Sequence, residues 1–320
     1  MMRQTSFFKE SVIMTLHRVD QRNPERIPEN QNMLIEVDEL ESFIINSKLS
    51  GWTFISIDEL YDNLIKKNKI NKTIVLTFDD GYYDNFSNAF PLLNSLDTPF
   101  TIYITSNFIT KKNYPWWYAL EEALLQDTLK LPFGDIKASN INESSKVFNF
   151  IRERLLSNAD DYSNFLSWAK LNNISCRYEK KLFMSWDNIK ELSKSKLVTI
   201  GSHTLSHPVL GKIPAENIDI ELNQSKKDIE LEISKPVLHF AYPYGGKEDI
   251  SSEVIYASQR AGYKTAVTTN FNSIENCSNG DIYRLPRIFF SPNTKMKSIQ
   301  KDILLVKFKN LIKRNILNIS

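Results

Sequence analysis

Cysteine is almost missing from this chain: Cys176 and Cys277 are the only two in 320 residues. They form no C-x-x-C pair and no spaced metal set, which excludes a cysteine zinc site, argues against a disulfide framework and leaves two ordinary thiols. Long apolar runs are missing too. No stretch approaches the roughly 18 residues that a membrane-spanning helix needs. The N-terminal MMRQTSFFKESVIMTLHRV holds no apolar segment of signal-peptide length. A cytosolic protein is the expectation. Charge of one sign is also lacking: 40 basic and 38 acidic residues leave +2, so no nucleic-acid partner is expected. Histidine is scarce, with His17, His203, His207 and His239 the full set.

What is present is an alternation of β-prone and helix-prone stretches. Strands are expected at VIMTLH (12–17), WTFISI (52–57), TIVLTF (73–78), PFTIYIT (99–105), LVTIGSH (197–203), VLHFAYPYG (237–245) and KTAVTT (264–269). Helices are expected at 38–50 with Asp38 as N-cap, after Asp58 as the next cap, at 86–96 with a break near Pro91, and at 184–196, 215–233 and 252–262. Repeated strand-then-helix order implies parallel strands with helical crossovers, so the α/β class follows, as a βα-barrel or an open sheet. One large domain suits the length.

Two segments break the rhythm. Residues from about 110 to 183 read as a largely helical insertion. It opens with Trp116, Trp117 and Tyr118, which suit either core packing or a platform for sugar rings. At the other end, 293–320 reads as a basic amphipathic helix, with seven basic residues against Asp302 over 294–318. Docking on the domain with a solvated basic face is one reading of it. Peripheral contact with an anionic membrane surface is the other.

Chemistry concentrates in two short stretches. TFDDG puts Asp79 and Asp80 side by side at the end of the strongest strand, and GSHTLSHP puts an H-x3-H pair, His203 and His207, after another. An i,i+4 pair on one helical turn aims both imidazoles at one ion. In a parallel barrel the strand C-termini converge on one face. Two His and one Asp would make a three-ligand metal site with an open position, the catalytic pattern. One Asp would then bind the ion while its neighbour takes a proton from water, and the cation would offset their repulsion. Gly81 allows a sharp turn beneath them. Zn2+ is the expected ion, with Co2+ and Ni2+ suited to the same ligands.

TFDDGYYDN, GSHTLSHP, FAYPYG and RLPRI, in that order and preceded by MTLHRV and MSWDNIKEL, resemble the polysaccharide deacetylase family, the NodB homology domain of carbohydrate esterase family 4. The likeness runs from about residue 10 to 292 and leans toward the poly-N-acetylglucosamine deacetylase branch. It implies a distorted (β/α)7 barrel over residues 1–292, with the insertion inside it. It also implies metal-dependent hydrolysis of N-acetyl, sometimes O-acetyl, groups on a saccharide. Carried over by position, Asp79 becomes the general base and Asp80, His203 and His207 the metal ligands. Pro243 and Tyr244 would line the pocket, with the Tyr244 N–H on the oxyanion.

Two departures stand out. Ala241 occupies the place of the arginine that normally orients the base, so Arg284 and Arg287 in RLPR are the candidates to replace it. No histidine follows His239, so the acid for the leaving amine is expected to be His17, by analogy with an early-strand histidine of that branch. His239, inside an apolar strand, reads as structural. Without a leader, a lipid-linked or nucleotide-linked saccharide in surface-glycan assembly is the expected substrate, met in the cytoplasm or at the inner membrane face. The competing readings are a glycan-binding pseudoenzyme and a hydrolase of another non-peptide C–N bond, such as a cyclic imide.

Overall fold

The computed structural model describes residues 11–125, 131–134, 140–172, 174, 181–274, 281–292 and 294–317. Cys176, Cys277 and residues 1–10, where a leader was sought, lie outside the described residues. The strands β1 (Val12–Leu16), β2 (Thr53–Phe54), β3 (Thr73–Phe78), β4 (Phe100–Ile104), β5 (Val198–Ser202), β6 (His239–Ala241), β7 (Thr265–Val267) and β8 (Ile288–Phe289) share one sheet. The order is β8–β1–β3–β4–β5–β6–β7, with β2 beside the start of β3, and every pairing is parallel. VIMTL and TIVLTF are buried end to end, because a parallel sheet is covered on both faces. Leu285 bridges to Val267 of β7, and Ile288 three residues later pairs with Met14 of β1. That short run draws the two ends of the sheet together into the distorted (β/α)7 barrel that the resemblance implies.

β6 is shorter than its apolar run suggests. Its chain leaves the sheet after Ala241 to form a turn with Tyr244 and Gly245 at positive φ (61° and 65°). The helix starts also differ from expectation. Helix α1 (Val37–Leu49) is capped at Glu36, whose N–H donates to Glu39 at 3.0 Å, and Asp38 sits in the first turn. Helix α2 (Ile57–Ile65) is capped by Ser56, whose hydroxyl accepts from the Glu59 N–H at 3.0 Å. A hydroxyl one residue before the first turn reaches that N–H, which leaves Asp58 free to turn elsewhere. Near Pro91 there is no break. A π-helical turn over Asn85–Ala89 runs straight into α3 (Phe90–Ser95), and Pro91, which has no N–H to donate, sits where the hydrogen-bond pattern changes from one to the other.

Between β4 and β5 the chain forms α4 (Trp116–Leu124), α5 (Ile141–Ser157) and α6 (Ala159–Leu171). Their apolar faces build a cluster that also takes in Ile27, Tyr82 and Phe108 from the barrel loops. Buried charge fastens this cluster. Arg26 pairs with Glu121 and, at 3.3 Å, with Glu122 of α4. Glu121 also accepts from the Ile27 N–H (2.7 Å) and Asn30 Nδ2 (2.8 Å).

Beyond the insertion follow α7 (Trp186–Ser193), α8 (Ala215–Ile233), α9 (Ser252–Arg260) and α10 (Met296–Leu317). The first turns of α10 dock through Met296, Ile299 and Ile303, while Leu304, Leu305 and Phe308 are exposed. No helix among the described residues is long and apolar enough to cross a membrane.

Gly201 shows how closely the strands pack beneath the histidine loop. A Cβ there would lie 2.4 Å from the Tyr103 ring and 2.9 Å from the His239 carbonyl. Gly201→Ala is therefore expected to destabilise the chain by about 1–3 kcal/mol in urea denaturation. An unchanged midpoint would contradict this packing.

Candidate active site

The strand ends deliver the site as elements of one face. Asp79 and Asp80 follow β3, His203 and His207 follow β5, the Pro243–Gly245 turn follows β6, and His17 follows β1. All of these except Gly245 and Pro243 line one cavity of about 380 Å3, together with Trp116 and Trp117 of α4. Asp80 and Gly81 both take positive φ, 74° and 84°, so the chain reverses sharply and splays the two acids.

Asp79 is 3% exposed and gripped by a guanidinium. Arg287 Nη1 and Nη2 donate to its two oxygens at 2.7 Å each, a fork-on-carboxylate geometry. Arg287 is itself anchored, through Nε to the Thr268 carbonyl (3.0 Å) and Nη1 to Thr77 Oγ1 (3.2 Å). Burial alone would raise the Asp79 pKa, but Arg287, with His203, overrides it and holds the carboxyl well below the usual carboxylate range. Of the two arginines weighed from the sequence, Arg287 reaches the acid, whereas Arg284 is exposed.

Asp80 has the opposite environment. Burial, then the charge on Asp79, pushes its pKa well above the ordinary value. Its Oδ1 is buried with no hydrogen-bond partner and lies 3.6 Å from His203 Nε2 and 3.4 Å from His207 Nε2. The three ligand atoms fall within 4.8 Å of one another. Burial lowers the pKa of both imidazoles, so they stand neutral with lone pairs available. His203 Nδ1 donates to the Ala241 carbonyl at 2.7 Å, which turns Nε2 toward Asp80. An orphaned carboxylate oxygen facing two neutral imidazole nitrogens fits a divalent cation.

The histidine pair is not on a helical turn, as its spacing suggested. Residues 203–207 form an irregular loop with positive φ at Thr204 and His207 (66° and 64°). Glu221 of α8 holds that loop by accepting from the Leu205 and Ser206 N–H groups at 2.9 and 2.8 Å. Aromatic rings enclose His207: Phe108 at 5.8 Å, Trp117 at 5.1 Å and Tyr244 at 4.9 Å between centroids.

Tyr244 is fixed from two sides. Trp116 Nε1 donates to its hydroxyl at 2.8 Å, and its carbonyl accepts from Thr269 Oγ1 at 2.6 Å. Its backbone N–H has no partner among the described residues. Trp116, Trp117 and Tyr118 are 3%, 7% and 1% exposed, so they pack as core, and only Trp116 and Trp117 also face the cavity.

His17 is half-buried on the cavity wall, its ring 6.2 Å from Phe289 and its carbonyl held by Asn85 Nδ2 at 2.8 Å. Burial, opposed by Asp79 but aided by Arg287 and His203, lowers its pKa to about 4. His239 lies buried away from this cavity, between Thr265 Oγ1 (2.8 Å) and Asp58 (3.0 Å). The sequence reading missed the Arg18–Asp84 pair (2.8 Å), whose acid also accepts from the Val19 N–H (2.9 Å). Its members stand one residue past His17 and five past Asp79, the only signal that they brace the site.

Fold and site together give a (β/α)7 barrel whose strand ends bring Asp80, His203 and His207 into a candidate metal site. The chain belongs to the polysaccharide deacetylase family, whose model matches residues 66–266, and is thus a hydrolase acting on carbon–nitrogen bonds other than peptide bonds. It is similar in structure to the Streptococcus pyogenes deacetylase PplD, at 18% identity and TM-score 0.61, covering 91% of this chain and 97% of that one. IcaB from Ammonifex degensii matches at 17% identity and TM-score 0.60, covering 91% and 96%. A de-N-acetylase from Aggregatibacter actinomycetemcomitans matches at 17% and 0.58, covering 91% and 99%. Against curated proteins, no sequence similarity reaches significance.

Arg287→Ala would leave Asp79 buried without its partner, at an expected cost of about 3–5 kcal/mol in the metal-free chain at neutral pH. The folded pKa of Asp79 lies below its unfolded value of about 3.9. The pair therefore contributes stability above that pH and loses it as pH falls through the folded value. Urea denaturation should show the gap between wild type and variant narrowing in acid. A gap independent of pH would contradict the pairing.

Proposed function

We propose that this chain removes N-acetyl groups from a saccharide, with a divalent cation held by Asp80, His203 and His207. The observation that carries the reading is the division of labour between adjacent acids: Arg287 keeps Asp79 ionised, while Asp80 faces two neutral imidazoles. Zn2+ is the ion best suited to this donor set. When bound, it acidifies water and polarises the acetyl carbonyl.

The protein's own groups do the rest. Asp79 accepts the proton of the attacking water, oriented by the Arg287 fork. The free N–H of Tyr244 stabilises the developing oxyanion, held in place by Trp116 and Thr269. Breaking the C–N bond requires a proton on nitrogen. His17 starts neutral, since its pKa is lowered to about 4. It lines the same cavity as Asp79, and the proton taken from the attacking water is delivered through it to the amine nitrogen. Water is consumed, and acetate and a free amine are released.

The de-N-acetylase named among the structural relatives supports an amide substrate. A pseudoenzyme would have no use for an ionised base, a ligand set and an open N–H converging on one cavity. Asp79→Asn should lower acetate release by about 10²–10⁴-fold while retaining stoichiometric metal, and a chelator should abolish activity in the wild type. Full activity in the variant, or purified protein that takes up no metal, would sink the reading.

Leaving-group chemistry tests His17 separately. An amine needs a proton to depart, whereas a nitrophenolate does not. His17→Asn should slow N-acetyl hydrolysis by about 10²-fold or more and slow p-nitrophenyl acetate hydrolysis much less. Equal losses on both substrates would assign His17 another role.

A further inference from the structure

Resting on the deacetylase reading, we propose that the cavity takes an N-acetylated sugar bearing a phosphate, and that Arg152 recognises the phosphate. At about 380 Å3 the cavity is near the small end of ligand sites, about 300–1,000 Å3. One wall is the insertion, where α5 contributes Phe148, Asn149 and Arg152. That wall stands on a packed core and on α4, whose buried Glu121 and Glu122 are fastened to Arg26. The space suits one sugar with a short substituent better than several units of a polymer.

The charge on that wall sets the class of substituent. Arg152 is exposed at the cavity and has no ion-pair partner among the described residues. The carboxylate on the same rim, Glu29, accepts at Oε1 from Ser145 Oγ at 2.6 Å and from Asn149, and its buried Oε2 has no partner. A fork-shaped cation at the mouth of a cavity with the acetyl chemistry at its floor matches a phosphate bidentately. The phosphate could belong to a nucleotide or to a polyprenyl carrier, and both present the same oxygens to Arg152.

The test is calorimetric titration of the metal-loaded full chain carrying Asp79→Asn, with N-acetylglucosamine 1-phosphate against methyl N-acetylglucosaminide. The phosphorylated probe should bind at least about tenfold more tightly. That ratio should collapse toward one in Arg152→Gln and return in part in Arg152→Lys. UDP-N-acetylglucosamine and a micellar polyprenyl-diphosphate N-acetylglucosamine distinguish the two sources. An Arg152-dependent preference for either supports the proposal. No preference, a preference untouched by Arg152→Gln, or no binding of any probe overturns it. Acetate release by the wild-type chain on the same probes separates the two claims. Arg152-dependent binding without acetate from any probe sinks the deacetylase reading alone. Acetate release without a phosphate preference sinks only the phosphate assignment.

Discussion

Repulsion between Asp79 and Asp80 is the constraint around which the rest of this molecule is arranged. Two charges about 4 Å apart repel by roughly 4 kcal/mol at an effective dielectric of about 20, and burial adds the loss of water to each. The backbone separates them first, through left-handed conformations at Asp80 and Gly81 that send the two side chains different ways. The surroundings then treat them oppositely. Asp79 receives a bidentate guanidinium; Asp80 receives two neutral imidazoles and retains an oxygen without a partner. An ionised carboxylate and a candidate cation site arise from the same dipeptide because its two neighbourhoods differ.

Ala241 stands where the resemblance led an arginine to be expected, and Arg287 pairs with Asp79 from elsewhere in the barrel. Ala241 is fully buried, yet its carbonyl still orients His203. The guanidinium comes instead from Arg287, just before β8, and is held by Thr77 and Thr268 before it reaches Asp79. What a buried Asp79 needs to stay ionised is a fixed positive fork beside it. The strand that supplies it is secondary, since all strands of the barrel end around the same space.

The helical insertion belongs to the site as much as the barrel does. Trp117 encloses His207, Trp116 positions Tyr244, and α5 forms the outer wall. Buried ion pairs to Arg26 and packing against Tyr82 and Phe108 join it to the barrel loops. The aromatic run that opens it serves as core, and the exposed edges of that core shape the cavity.

By itself the sequence determined the α/β class, seven of the eight strands of the main sheet and the stretches that hold the chemistry; the two-residue β8 was not among the expected strands. Period and composition mark buried parallel strands such as TIVLTF, and unusual residue pairs such as FDDG and H-x3-H stand out against them. It also narrowed the partner of Asp79 to two arginines. Choosing Arg287 over Arg284 took the tertiary structure, because residues 208 positions apart meet only when β8 closes beside β1. The same holds for the histidine pair, whose spacing suggested a helix. Its loop is shaped by Glu221 from α8, and long-range hydrogen bonds leave no trace in local periodicity. Whether Trp116 and Trp117 were core or cavity wall was likewise decided by packing, since the same aromatic residues serve either purpose until their neighbours are in place.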